Sequence, residues 1–223
     1  MREDERRPES ALPRLDAADR DGLVARIDAL AAAHDRVLLG ITGSPGAGKS
    51  TLAVELAEAL RSRGVPVAWV PMDGFHLADV ELDRVGRRER KGAIETFDGH
   101  GYLALLRRLV SETRNTVYAP TFDRTLEQPV AGAIAVAPGT RVVLTEGNYL
   151  LDASEPWGEI RGALTEVWFC DVPDDVRRQR LVARHIEFGK ARAAAEQWVD
   201  EIDQPNAGRI EAARCRADLV VRA

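Results

Sequence analysis

The sequence predicts an α/β fold of three layers, with a mostly parallel five-stranded sheet between helices. The main observation is a glycine-rich segment at residues 43–50, which lies between an apolar run and a helix-like run. The apolar run, residues 36–42, is typical of a strand that is buried on both faces. The run that follows carries Leu52, Leu56 and Leu60 at helical spacing. Strand, glycine loop and helix in this order predict the start of a doubly wound sheet.

Further apolar runs supply the other strands of the predicted sheet. They are short, rich in valine and leucine, and separated by helix-like segments or turns. Two shorter β segments are predicted at residues 117–120 and 133–136. The four remaining sheet strands are predicted at residues 65–71, 141–145, 164–171 and 217–221.

Helices are predicted where apolar residues recur every three or four positions, as they do at Leu23, Ile27 and Leu30. Besides the helix after the glycine loop, helices are predicted over residues 17–33, 101–112, 173–185, 191–202 and 206–215.

Two other segments are predicted to lack regular structure. A charged, glycine-broken stretch at residues 81–96 is predicted to form a mobile loop over the functional site. Residues 1–16 are predicted as a charged, flexible leader, and residues 17–223 as a single domain.

Composition excludes several classes of function. The chain has 223 residues, of which 45% are hydrophobic and 30% charged, as in ordinary soluble domains. A net charge of −5 gives no reason to expect nucleic acid or an anionic membrane as a partner. Two cysteines are too few for a disulfide scaffold or a cysteine zinc site, which favours a reduced, cytoplasmic setting. No signal peptide and no apolar run of roughly 20 residues is present.

The glycine-rich segment reads G-x-x-x-x-G-K-S, the pattern of a phosphate-binding loop. Glycines let backbone N–H groups turn towards a polyphosphate, and the N-terminus of the following helix adds partial positive charge. Lys49 can reach the outer phosphates, and the Ser50 hydroxyl can hold Mg²⁺. The residues predicted to bind ATP here are Gly43, Ser44, Pro45, Gly46, Ala47, Gly48, Lys49, Ser50 and Thr51.

Two carboxylates follow predicted strands, where ligands collect in open α/β sheets. Asp73 can accept a proton from a substrate hydroxyl or help to position Mg²⁺, although an Asp before a Gly is also common in turns. Glu146 can act on Mg²⁺ or on its water, the alternatives being a helix N-cap or a solvated turn.

Basic and aromatic candidates are less specific. His76 can contact substrate or serve as an ordinary core residue, and Arg124 can fix an anionic or hydroxylated substrate or form a surface ion pair. The basic stretch over residues 177–192 is either a solvated helix face or a closing lid whose cations meet phosphates. We expect at least one of Arg180, Arg184 and Lys190 to reach phosphate.

Taken together, these motifs resemble the uridine kinase, phosphoribulokinase and bacterial pantothenate kinase superfamily. The resemblance extends from about residue 38 to residue 221. More narrowly, the chain resembles nucleoside/nucleotide kinase family proteins, including those named fructose transport system kinases. The joint order of the motifs carries it, because a phosphate loop alone is generic. The motifs are GSPGAGKST (43–51), PMDGFH (71–76), KGAIETFD (91–98), YAPTFDR (118–124), LTEGNYLL (144–151), RLVARHIEFGK (180–190) and QPNAGRI (204–210).

The resemblance implies a P-loop NTPase fold with a helical lid, and ATP-dependent phosphorylation of a hydroxyl on a small metabolite. Asp73 would be the general base, Lys49 and Ser50 would serve ATP and Mg²⁺, and Glu146 would support the metal. Arg184 would act in catalysis and Lys190 would bind ATP from the lid. The remaining substrate-binding positions would be Phe75, His76, Phe97 and Arg124.

The substrate does not transfer from the resemblance, because Gly74-Phe75 stands where uridine kinases have Ser-Phe or Ser-Tyr. A nucleoside, a sugar and a pantothenate-like compound all remain open. The alternative is a nucleotide-dependent regulatory module, against which the chain lacks both the N-K-x-D and the L-S-G-G-Q signatures. Related kinases are often dimeric, so a homodimer is a further expectation by analogy.

Overall fold

The computed structural model describes residues 12–222, and its centre is a six-stranded sheet in which every pairing is parallel. The predicted three-layer α/β fold is confirmed. In spatial order the strands are β1 (Arg14–Asp16), β8 (Leu219–Arg222), β7 (Glu166–Asp171), β2 (Val37–Thr42), β6 (Val142–Glu146) and β3 (Val67–Trp69).

The predicted count of five strands is wrong by one, because β1 adds an edge strand beside β8. Arg14 pairs with Val220, and the backbone N–H of Ala17 donates to the carbonyl of Arg222 at 2.7 Å. The end of the predicted leader therefore belongs to the sheet, whereas residues 1–11 lie outside the described part of the chain. A three-residue edge strand carries too little periodicity to be recognised in a sequence.

Helices cover both faces of the sheet. They are α1 (Arg20–Ala33), α2 (Lys49–Ser62), α3 (Asp79–Arg84), α4 (Gly99–Ser111), α5 (Trp157–Ala163), α6 (Asp174–Glu187), α7 (Arg192–Trp198) and α8 (Gln204–Ala212). On one face the leucines of α2 pack with α1, and Leu52, Leu56 and Leu60 are almost completely buried. On the other face lie α4 and α5, around the buried Tyr102 and Trp157.

Three segments differ from the predictions. Residues 81–96, predicted as a loop, contain most of α3 and short 3₁₀ turns at Arg88–Arg90 and Ile94–Thr96. The short β segments form a separate antiparallel hairpin, β4 (Val117–Asp123) and β5 (Gln128–Val136), which does not join the central sheet. A π-helical turn, Val199–Asp203, connects α7 to α8.

None of the helices described between residues 12 and 222 combines the length and the apolar character needed to cross a membrane.

Candidate active site

The site lies at the carboxyl edge of three neighbouring strands. β2 ends where the phosphate loop begins, β6 ends at Glu146, and β3 is followed by a 3₁₀ turn, Met72–Phe75, that carries Asp73. Because β6 lies between β2 and β3, the three ends meet at one place. Lys49, Ser50, Asp73 and Glu146 all line a single cavity of about 730 Å³.

The phosphate loop is held in its conformation by glycine and by close packing against α6. Gly46 has φ +82°, and a Cβ there would lie 2.9 Å from Leu181 Cγ and 3.0 Å from the carbonyl oxygen of Arg177. The Arg177 guanidinium in turn donates to the carbonyl of Pro45 at 3.3 Å. Ser44 is buried, and its hydroxyl donates to Glu211 at 2.7 Å. The loop is therefore fixed before any ligand binds.

Lys49 lies inside this loop and is 8% exposed. Its ammonium donates to the carbonyls of Gly43 at 2.9 Å and Ser44 at 3.2 Å. Burial lowers the pKa of Lys49, while the nearby carboxylate of Glu146 opposes that shift. The cation is thus held in place by backbone oxygens, next to the acid at the end of β6.

Glu146 accepts a hydrogen bond from the Ser50 hydroxyl at 3.1 Å. Burial, followed by the charge of Asp73, raises the pKa of Glu146 to about 7 against the opposing effect of Lys49. A cation bound at this carboxylate would favour its charged form again.

The Ser50 and Glu146 oxygens fit Mg²⁺, which prefers hard oxygen ligands. Residues 12–222 contain no cluster of three or more His, Cys, Asp or Glu side chains that could bind a metal ion. Mg²⁺ is usually held by one or two carboxylates together with substrate phosphates. Binding of Mg²⁺ by Ser50 and Glu146 stays a prediction.

Asp73 is placed by the packing of its own turn against the hairpin. A Cβ on Gly74 would lie only 2.5 Å from the carbonyl oxygen of Pro120 in β4, so only glycine permits this approach. The carboxylate of Asp73 is 3.4 Å from the guanidinium of Arg124, which follows the last residue of β4. The predicted base thus lies in the cavity with a cation beside it.

Aromatic rings form one wall of the cavity. The His76 ring lies 4.0 Å from the ring of Phe97 and 5.0 Å from that of Phe122. Burial lowers the pKa of His76 to about 4, so the imidazole is neutral near pH 7. Lys91 lies over Phe122, with its ammonium 5.2 Å from the ring centre.

Phe75 differs from its prediction as a substrate-binding residue. Its ring packs against that of Tyr102 at 5.1 Å, on the core side of the turn. The described residues that line the cavity include His76 and Phe97 but not Phe75. Consecutive residues of a tight turn point in different directions, which the motif by itself does not reveal.

The basic side chains of α6 and of the residues after it have different positions: one is buried and structural, and others line the larger cavity. Arg177 is 3% exposed and binds Asp174, Gln204 and the phosphate loop, so it anchors the helix. Arg184 lines the cavity, and Lys190 lies 4.2 Å over the ring of Trp198. Contact between any of these cations and phosphate stays a prediction.

A second cavity of about 560 Å³ runs along the other side of the phosphate loop. Thr51 and Glu55 of α2 line it, as does Arg180 of α6. Six residues line both cavities and so mark where the two meet: Gly46, Lys49, Ser50, Arg124, Arg184 and Phe188.

Several residues that line the larger cavity were not identified from the sequence. Asn148 and Phe122 line the larger cavity and belong to motifs that had been noted without assigning them a role. His185 and Asp203 also line it, with Nε2 of the imidazole 3.0 Å from the carboxylate. No sequence signal links these two positions, because they come from different elements 18 residues apart.

Comparison with known proteins gives one partial and several extended matches. The family described as methylmalonyl Co-A mutase-associated GTPase MeaB matches residues 9–76. That match includes the phosphate loop and is confined to the first part of the chain. It therefore covers the phosphate loop and Asp73, and it ends at His76, before the other residues that line the larger cavity.

The extended matches are with kinases. A candidate uridine kinase from Schizosaccharomyces pombe is 34% identical over 215 residues, which cover 93% of this chain and 92% of the relative. The crystal structure of a candidate fructose transport system kinase from Silicibacter sp. TM1040 has 40% identity and a TM-score of 0.81, covering 92% of this chain and 97% of that one.

A third comparison supports the fold alone. YFH7 from Saccharomyces cerevisiae, described as a candidate P-loop kinase with a circular permutation, has a TM-score of 0.79 at 21% identity. The match covers 92% of this chain and 98% of that chain. Since the extended sequence matches confirm the resemblance seen in the motifs, the chain belongs to the uridine kinase-like family of P-loop kinases.

Proposed function

We propose that the protein transfers the γ-phosphoryl group of ATP to a hydroxyl of a small metabolite. The observation that carries this proposal is the placement of Asp73 in one of two cavities that meet at Lys49 and Ser50. The cavity that lacks Asp73 runs along α2 and suits the nucleoside part of ATP. The cavity that contains it suits the acceptor.

On the donor side the protein supplies fixed positive charge. Lys49 is held at the loop by two carbonyls, and its ammonium keeps a third N–H that can donate to a phosphate. The N-terminus of α2 presents backbone N–H groups at the same point. Ser50 and Glu146 would hold Mg²⁺, which would neutralise charge on the bound phosphates. Preorganised charge of this kind is the main source of catalysis in phosphoryl transfer.

On the acceptor side Asp73 accepts the proton of the substrate hydroxyl as the new P–O bond forms. Its carboxylate is 31% exposed, so a substrate in the cavity can reach it. The aromatic wall around Phe97 and Phe122 would hold the apolar face of a nucleoside, a sugar or a pantothenate-like compound. The hydroxyl groups of such an acceptor would find polar side chains along the rest of the lining.

The alternative, a nucleotide-dependent regulatory module, is supported by the match to the GTPase family over residues 9–76. Such a module would hydrolyse ATP slowly, and no small acceptor would stimulate it. We therefore expect one compound from a panel of nucleosides, sugars and pantothenate analogues to stimulate ATP consumption strongly. Absence of stimulation across the panel would favour the regulatory module.

Replacement of Asp73 tests the base. We expect Asp73→Asn to lower kcat by about 10²–10⁴-fold, because the amide cannot accept the proton. ATP affinity, measured by calorimetry, should be unchanged. Asp28→Asn is the matched control, since Asp28 of α1 forms an exposed ion pair with Arg63, the residue after α2, and should leave turnover unaffected. Full activity of Asp73→Asn would show that another group takes the proton.

A further inference from the structure

We propose that Arg124 is a catalytic residue that contacts the phosphoryl group during transfer, in addition to any contact it makes with the acceptor. This inference rests on the proposed function and assigns a further residue to that reaction. The cation would come from the hairpin of β4 and β5, an element separate from both the phosphate loop and the lid.

The first observation is where Arg124 lies. It lines both cavities, as Lys49, Ser50 and Arg184 do. Donor and acceptor can meet only where the two cavities join, so a side chain at that junction is beside the group in transit. A residue that served acceptor binding alone would line the cavity of Asp73 and not the one along α2.

The second observation is how loosely Arg124 is held. Its guanidinium is 54% exposed, and its contact with Asp73, at 3.4 Å, is beyond the usual length of a charge-assisted hydrogen bond. No other polar partner of this side chain occurs among residues 12–222. Exposed ion pairs contribute little to stability, so a bound phosphate can displace this contact readily.

The third observation is the charge that the site supplies without Arg124. Two of the three N–H donors of Lys49 are already used by the carbonyls of Gly43 and Ser44. Arg184 is exposed on α6 with no carboxylate partner in the described part of the chain. Charge in the transition state spreads over the equatorial oxygens of the transferring group. Cations from the loop, the lid and the hairpin would surround those oxygens from three directions.

The same movement would prepare the base. When Arg124 turns to the phosphoryl group, Asp73 loses its cation and has a free oxygen to take the substrate proton. The acceptor oxygen then bonds to the γ-phosphorus while the bond to the bridging oxygen breaks, and that electron pair leaves with ADP. The proton ends on Asp73, so charge and atoms balance.

The experiment compares Arg124→Met and Arg124→Lys with wild type and with Arg84→Met. Arg84 is the control because it forms an exposed ion pair with Glu81 in α3 and lines neither cavity. We expect Arg124→Met to lower kcat by about 10²-fold with little change in KM for the acceptor. Arg124→Lys should recover part of kcat, since lysine keeps the charge but loses the paired N–H groups. A raised acceptor KM with normal kcat would overturn the proposal.

A second measurement needs no acceptor. ADP with aluminium fluoride and Mg²⁺ mimics the transferring group, so Arg124→Met should weaken binding of this complex by about 10²-fold and leave binding of ADP unchanged. Equal weakening of both, or of neither, would overturn the role of Arg124. Because this readout is independent of acceptor turnover, failure of the acceptor panel would reject the proposed kinase reaction without affecting the test of Arg124.

Discussion

The proposed donor and acceptor halves of the site are built in different ways. On the donor side Lys49 is buried and bonded to backbone carbonyls, and the loop around it packs on α6. On the acceptor side Lys91 contacts Asp79 at 2.7 Å and the carbonyl of Glu127 at 2.5 Å, and Arg88 contacts Asp79 at 2.8 Å. The first half is held by the backbone and the core, and the second by ion pairs between short elements.

This difference indicates which half of the site can tolerate amino-acid substitutions. We expect substitutions in the phosphate loop to disturb its packing on α6, and those at the ion pairs around Asp79 to alter the shape of the larger cavity alone. Related kinases that share one phosphoryl donor but act on different acceptors would need a constant donor site and a variable acceptor site. The predictions below test it, from the largest expected effect to the smallest.

Gly46→Ala should affect the donor half most severely. The side chain would require φ +82° of an alanine and would overlap Leu181 and the carbonyl of Arg177. We expect the free energy of unfolding to fall by about 1–3 kcal/mol, and ATP affinity to fall by at least about tenfold, or 1.4 kcal/mol. Urea unfolding and calorimetric titration with ATP measure the two effects.

Gly208→Ala is the matched control for this change. A Cβ at Gly208 meets no atom within 4 Å, and the residue lies within α8. We expect stability to rise by about 0.5–1 kcal/mol, because alanine favours the helix. If Gly46→Ala were as harmless as this control, the phosphate loop would not be rigidly packed.

His76→Phe should change how stability depends on pH. The folded pKa of about 4 lies below the ordinary 6.5, so the unfolded chain binds more protons between these values. Stability from His76 is therefore complete above pH 6.5 and falls as pH decreases towards 4, by at most about 1.4 kcal/mol per pH unit. The variant should lack this slope in urea unfolding measured at several pH values.

Glu146 contributes a slope of the opposite sign, since its folded pKa of about 7 exceeds the ordinary 4.5. Both proteins carry Glu146, so its contribution cancels when the variant is compared with wild type. Identical pH profiles for the two proteins would mean that His76 titrates normally and is not buried among the rings.

Lys91→Met should have the smallest effect on stability, about 1 kcal/mol, because Asp79 keeps its contact with Arg88. We expect KM for the acceptor to rise several-fold, and KM for ATP to stay unchanged. Arg107→Met is the control, since Arg107 pairs with Glu159 between α4 and α5, away from both cavities. An equal rise in both KM values in steady-state kinetics would contradict the separation of the two halves.

Local patterns in the sequence were sufficient to predict much of the donor half. The order of β2, glycine loop and α2 is contiguous, so its spacing could be read directly. Asp73 and Glu146 were expected to lie close together because the carboxyl ends of parallel strands share one edge of a sheet, and both line the larger cavity. Each of these inferences needed only the end of a strand and the residue after it.

The sequence by itself determined the three-layer fold, the phosphate loop and the acids beside it, since each follows from periodicity within one segment. Only the tertiary structure decided which residues complete the site. It turned Phe75 into the core, buried Arg177 against Pro45, and brought Arg124 of the hairpin to Asp73. Those contacts join elements distant in the chain, and they depend on which faces pack together, which no local pattern specifies.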